Sequence, residues 1–200
     1  MKIFNTTAFV ICAAFMVSAC TPKQKSFEMG SYGYDVKFLS DNSIEYLELS
    51  SEDGQARVML VPGWQGRVMT STASGDDGDS YGWINYELIS SVQVNHQFNP
   101  YGGEERFWFG PEGGPFSLYF AQDAEQVYEN WRVPAVIDTE GYDVSAVSDA
   151  SVTFTKNTVL TNASGTRFDI DIDRTVSLMS DNDIEKDLGF VVSQQMKVVA

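Results

Sequence analysis

The stretch Asn99-Pro-Tyr-Gly-Gly-Glu-Glu-Arg-Phe-Trp-Phe-Gly-Pro-Glu-Gly-Gly-Pro115 holds glycine, proline, acid, arginine and aromatic residues in one short run. Pro-Tyr-Gly-Gly and Gly-Pro-Glu-Gly-Gly are both turn sequences, because proline presets φ and glycine accepts the positive φ that other residues resist. Between the turns, Glu104–Phe109 has room for a short strand, on which alternate side chains share a face. Glu104, Arg106 and Trp108 then point one way, and Glu105, Phe107 and Phe109 the other. The two phenylalanines mark the second face as core and leave an acid, a cation and a flat ring together on the first.

That trio suits a polyhydroxylated ligand: a ring covers the apolar C–H face of a sugar while charged groups bond its hydroxyls. The competing account is a rigid double turn in which Arg106 lies over Trp108 as a local cation–π contact. On residue types alone the second account has the stronger claim, since aromatics sit in cores more often than in sites.

Working outward, the flanking segments predict an antiparallel β protein. Ile44–Leu49, Ala56–Val61 and Val68–Ala73 are strand-like and separated by Gly/Asp turns. Tyr34–Asp41 fits a short helix packed by Val36, Phe38 and Leu39. Gly82–Ile89 is apolar on both the helical and the strand template. Downstream, Phe116–Phe120, Asp143–Val147, Ser151–Lys156 and Thr158–Thr161 read as strands, with a turn at Asn162–Gly165. Arg167–Leu178 has the clearest alternation, with Phe168, Ile170, Ile172 and Arg174 on one face and Arg167, Asp169, Asp171 and Asp173 on the other. Like charges in a row repel unless solvated or bridged by a cation. Ser180–Leu188 carries a capping-box variant and stops at Gly189, and Phe190–Ala200 returns to a strand pattern.

The ends carry separate signals. Met1–Ala19 has Lys2, an apolar run from Ala8 to Val17 that is too short for a bilayer span, and then small residues, which fits a secretory signal. Val17-Ser18-Ala19-Cys20 matches the lipobox of bacterial lipoproteins. The match implies cleavage before Cys20, lipidation of Cys20, and a tether over residues 20–31 ahead of a domain at 32–200. At the other end, Met196–Ala200 stops inside an apolar strand pattern, so the chain is expected to hold an N-terminal part of the full fold.

Two hundred residues suffice for one domain with a sizeable core. The formal charge of −15 and the lack of any Lys/Arg run exclude a nucleic-acid footprint. Such acidity leaves divalent cations open. Ser74–Ser80 tempts a calcium-loop reading through Asp77, Asp79 and Gly82, but Tyr81 and Leu88 stand where ligands are required, and a solvated turn is favoured. No metal site is therefore assigned, and calcium stays a minor alternative.

Gly63–Thr70, Gly82–Asn85, Asn99–Gly114 and Asn130–Pro134 together resemble an uncharacterised family of bacterial lipoproteins, itself similar to the galactose mutarotase-like (aldose 1-epimerase-like) proteins. The second likeness rests on Gly66-Arg67, the paired Gly102-Gly103 and Asn162…Gly165…Arg174. It implies an antiparallel β-sandwich with a sugar on its open face, opened and closed by a glutamate base and a histidine acid. Those enzymes place a histidine before the paired glycines, where this chain has Tyr101; His96 lies upstream, and their late glutamate falls beyond Ala200. The resemblance leaves Glu104, Glu105 and Glu112 as candidate catalytic carboxylates and Tyr101, Arg106, Trp108 and Arg67 as candidate sugar contacts. Three functions follow: an epimerase- or mutarotase-like enzyme, a non-catalytic carbohydrate-binding lipoprotein, or an envelope scaffold. All three are anchored to a membrane of the bacterial envelope. A glutamate of raised pKa in a cleft would favour the first, and aromatics without a titrating pair the second.

Overall fold

The computed structural model describes residues 25–189. The signal, the lipobox with Cys20, most of the tether and the Phe190–Ala200 strand lie outside the described residues.

Helix α1 (Tyr32–Asp41) starts two residues before the sequence expectation, because the Ser31 side chain caps it by accepting from the Tyr34 N–H. Strands β1 (Leu47–Ser50), β2 (Arg57–Val61) and β3 (Arg67–Thr72) form an antiparallel sheet in the order β1-β2-β3. The β2 segment is apolar without a break because both its faces are covered. Val58 and Leu60 join one core cluster, and Met59 and Val61 a second. The second cluster is built against α1 and α2 (Tyr86–Ser91), with Tyr32, Leu39 and Ile89 buried in it. Helix α2 resolves the ambiguous Gly82–Ile89 run: Asn85 caps it by accepting from the Leu88 N–H, 3.1 Å away.

Strands β4 (Asp143–Val147), β5 (Ser151–Thr161) and β6 (Arg167–Ser177) form the other antiparallel sheet, in the order β4-β5-β6. Val152, Phe154, Ile172 and Val176 from this sheet share the first cluster with Leu49, Val58, Leu60 and Val68. The shared core is closed by Tyr119, Val133, Val136, Ile137 and Tyr142 from the long intervening segment. Gly66 shows how closely the parts meet: its φ is +64°, and a Cβ there would lie 2.4 Å from the Phe154 ring. The protein is thus mainly β, with two three-stranded antiparallel sheets and few helices. The β6 alternation is as expected from Ile170 onward, Ile172 and Val176 buried and the Asp169, Asp171 and Asp173 row exposed, whereas Phe168, expected on the inward face, is exposed. Helix α3 (Asp181–Leu188) is capped by Ser180, which accepts from the Asp183 N–H.

Three expectations are corrected. Glu104–Phe109 is not a strand; the region makes only isolated bridges, Ile84 to Gly102 and Val68 to Glu105. Gly102 and Gly103 take φ values of +103° and +114°, which turn the chain out of the pleat. Phe116–Phe120 is irregular, because the turn from Gly114 runs on to Ser117, whose Oγ then accepts from the Tyr119 N–H. Ser151–Lys156 and Thr158–Thr161 are one strand, paired along its whole length with β6.

Candidate functional site

The paired glycines build the site. A Cβ on Gly102 would come within 2.1 Å of the Trp83 carbonyl oxygen, so this approach needs glycine. Beyond them, the Glu104 N–H bonds the Val68 carbonyl at 2.9 Å, and Glu105 bridges Val68. The chain thereby covers part of the outer edge of β3. It sends two acids into an open groove of about 640 Å³ between β3 and β6. Val68, Ser71, Tyr81, Glu104 and Glu105 line one side, and Arg174, Thr175, Val176, Ser177 and Met179 the other.

The two acids differ. Glu105 accepts from Arg174 through both oxygens, Nη1 at 3.0 Å and a shorter contact from Nη2. Arg174 also reaches the Gly66 carbonyl, 3.4 Å away, so it ties β6 to the first sheet. Glu104 accepts from the Ser71 hydroxyl at 2.9 Å, and no Lys or Arg among the described residues pairs with it. Burial pushes the Glu104 carboxyl above its ordinary value, and the hydrogen bonds from Ser71 only partly pull it back.

The remaining candidates lie elsewhere. Arg106 donates to the Ile137 carbonyl (2.6 Å) and to Asp138 (3.2 Å), and its guanidinium lies 4.2 Å from the Trp108 ring centroid. Burial lowers the Arg106 pKa while Asp138 opposes the shift. Trp108 packs on Tyr119 and donates its indole N–H to Glu112 at 2.8 Å. The alternation of Arg106 and Trp108 is therefore real, but it serves the cation–π contact. Glu104, expected on the same face, is in the groove instead. So is Glu105, expected on the core face with Phe107 and Phe109.

Tyr101 stacks on Trp64, ring centroids 4.3 Å apart and planes 9° apart, and is buried. Arg67 is buried as well, donating to the Gly102 carbonyl (3.0 Å) and to Gln65 (3.1 Å). Burial, with the nearby Arg106 charge, lowers its pKa to about 10. Both residues support the paired glycines from behind, and neither lines the groove. His96 is exposed.

Sequence reasoning did not find Ser71, Tyr81, Arg174, Thr175 and Ser177. One signal existed for Arg174: a cation in the inward row of β6 requires an acidic partner. Among the described residues no three His, Cys, Asp or Glu side chains are placed to hold a metal ion. Asp76 pairs instead with Arg57, and Asp77 with Lys25. No helix among the described residues is long and apolar enough to cross a membrane.

No curated protein and no solved structure matches the chain. The model of a family of unknown function, DUF6786, matches residues 30–200, and the chain belongs to that family.

Proposed function

We propose that this is a lipid-anchored protein of the bacterial envelope that binds a carbohydrate in the β3–β6 groove. The observation that carries the proposal is the open β3–β6 groove, on whose wall Glu104 is an exposed carboxylate bonded by Ser71, with its pKa raised by partial desolvation. Ser71 offers a hydroxyl, Arg174 a guanidinium and Tyr81 a ring. A carboxyl poised above its usual range is suited to proton exchange with an anomeric hydroxyl, which supports a mutarotase-like activity. The resemblance to mutarotase-like β-sandwiches agrees with two antiparallel sheets around one core. Tyr101, standing where those enzymes have histidine, is stacked on Trp64 and brings no proton to the groove. Binding is therefore proposed ahead of catalysis. The anchor rests on Val17–Cys20 alone.

The test is a glycan-binding screen on the full chain, followed by polarimetry of the sugars that bind. Glu104→Gln is expected to abolish any acceleration of mutarotation while the protein stays folded. Binding without acceleration in the unmodified protein would leave a carbohydrate-binding lipoprotein, and no glycan binding at all would end the proposal. Cys20→Ala is expected to release the protein from the membrane; fatty acid label on that variant would refute the anchor.

A further inference from the structure

We infer that the site takes a glycan chain of two or more pyranose units, one in the β3–β6 groove beside Tyr81 and the next on the exposed ring of Trp83. The inference rests on the groove being a sugar site and names the class of sugar.

Residues 81–83 are held along the outer edge of β3. The Tyr81 N–H donates to the Ser71 carbonyl at 3.1 Å and the Gly82 N–H to the Thr70 hydroxyl at 3.1 Å, while the Trp83 carbonyl accepts from the Gly103 N–H at 2.8 Å. A Cβ on Gly82 would lie 2.0 Å from the Met69 carbonyl oxygen, so the backbone is pressed onto the strand at that point. The side chains on either side of this contact leave for solvent, Tyr81 55% and Trp83 61% exposed. Tyr81 lines the groove. Trp83 stands beside it, because its backbone partner Gly103 leads directly into Glu104 on the groove wall.

The other tryptophans show what this ring lacks. Trp64 is stacked on Tyr101, Trp108 packs on Phe98 and Tyr119, and Trp131 on Tyr119 and Tyr128. Among the described residues neither Trp83 nor Tyr81 has a ring partner, and neither the Trp83 indole N–H nor the Tyr81 hydroxyl has a hydrogen-bond partner. The two rings do not touch each other, so they offer two platforms rather than one. Their surroundings decide what covers them. The centre of a protein–protein interface is depleted of charge, whereas Glu104, Glu105 and Arg174 share the groove wall with Tyr81. An occupant has to cover ring faces and bond charged groups within the same short span. A pyranose does both, with C–H groups on its face and hydroxyls around its rim. A second unit linked to the first then reaches Trp83, whose indole N–H is free to donate to it.

The test titrates the full chain, by calorimetry or ligand-observed NMR, with the monomer, dimer and tetramer of β-1,4-linked glucose, α-1,4-linked glucose and β-1,4-linked N-acetylglucosamine. In at least one series the oligomers are expected to bind about tenfold tighter than the monomer, the size of one further stacking contact. Trp83→Ala should bring the oligomers down to the affinity of the monomer and leave monomer binding unchanged, and Trp83→Phe should keep most of the gain. Monomers that bind as tightly as their oligomers in every series would overturn the inference while sparing the sugar site. A length preference that survives Trp83→Ala would overturn the assignment to Trp83. Trp83-dependent self-association without sugar binding would make the rings a protein contact, and no binding of any glycan would remove both readings. The comparison of chain lengths needs no variant, so misfolding of Trp83→Ala would not rescue the inference.

Discussion

On the helix-covered face of the first sheet, Asp35 is a carboxylate 1% exposed, and at the edge of the same sheet Glu104 is another, opening into a groove. Neither has a cation beside it, and burial raises the pKa of both. Asp35 is saturated by two hydroxyls, Ser80 and Tyr86, and Ser80 in turn contacts Thr70 at 2.5 Å. The network fastens α1 to β3 and α2. Glu104 has Ser71 and a solvent-filled space. The same chemistry is structural where the hydrogen bonds are complete and the site is closed. It is available for function where the partners run out. Asp138 is a third case, sealed like Asp35 but paired with Arg106 and Asn99.

The largest effect is expected at Asp138. Asp138→Ala would strand the Arg106 charge and the Asn99 amide in the interior, costing about 3–5 kcal/mol, the usual penalty for breaking a buried pair. Chemical denaturation measures this, and a loss under 1 kcal/mol would show the pair to be solvated. Trp108→Ala should follow at about 2–3 kcal/mol, the scale of burying one large apolar side chain. Its packing on Phe98 and Tyr119 places the cost in stability. A Trp108 variant that folded normally yet lost glycan binding would move the site from the groove to the aromatic cluster.

Asp35 gives a pH signature. A carboxyl whose folded pKa is raised binds more protons folded than unfolded, so its contribution to stability falls as pH rises. The contribution is complete below the unfolded value of about 3.9 and is lost as pH climbs through the raised folded value. Asp35→Asn mimics the neutral form. The variant's stability relative to the unmodified protein should therefore increase with pH, by at most about 1.4 kcal/mol per pH unit. A flat difference between pH 4 and pH 8 would mean that Asp35 is ionised throughout, and the likeness to Glu104 would lapse.

The part of the fold legible in the sequence is the part written in local patterns. The β6 alternation, the Asn162–Gly165 turn and the Ser180 cap all follow from neighbours a few residues apart. Glu104–Phe109 alternates as well as a strand should. What it lacks is a partner strand, together with relief from the two positive-φ glycines before it, and neither is visible in a hexapeptide. The Arg106–Trp108 contact was readable because it is local. The groove was not, since Glu104 meets Ser71 across 33 positions and Glu105 meets Arg174 across 69. Such pairings are decided by topology. Of the candidate carboxylates, the sequence supplied both groove acids but could not separate them from Glu112, which bonds Trp108 outside the groove.

The smallest effect is expected where function is proposed. Glu104→Gln keeps the shape of the side chain and can still accept from Ser71, and it removes an exposed but partly desolvated charge that has no cation beside it. The lost charge-assisted bond and the relieved desolvation oppose each other, so the net change in stability should stay within about 1 kcal/mol. Its sign is informative. A slightly more stable variant means that the native residue is held against the interest of the fold, as expected of a residue kept for a ligand. Asp138→Ala has no such gain, because that carboxylate is enclosed by Arg106 and Asn99. Thermal melts of Glu104→Gln beside Asp138→Ala and Asp35→Asn decide the matter. If Glu104→Gln destabilises as much as Asp138→Ala, Glu104 is a structural carboxylate after all and the groove loses its one distinguishing group.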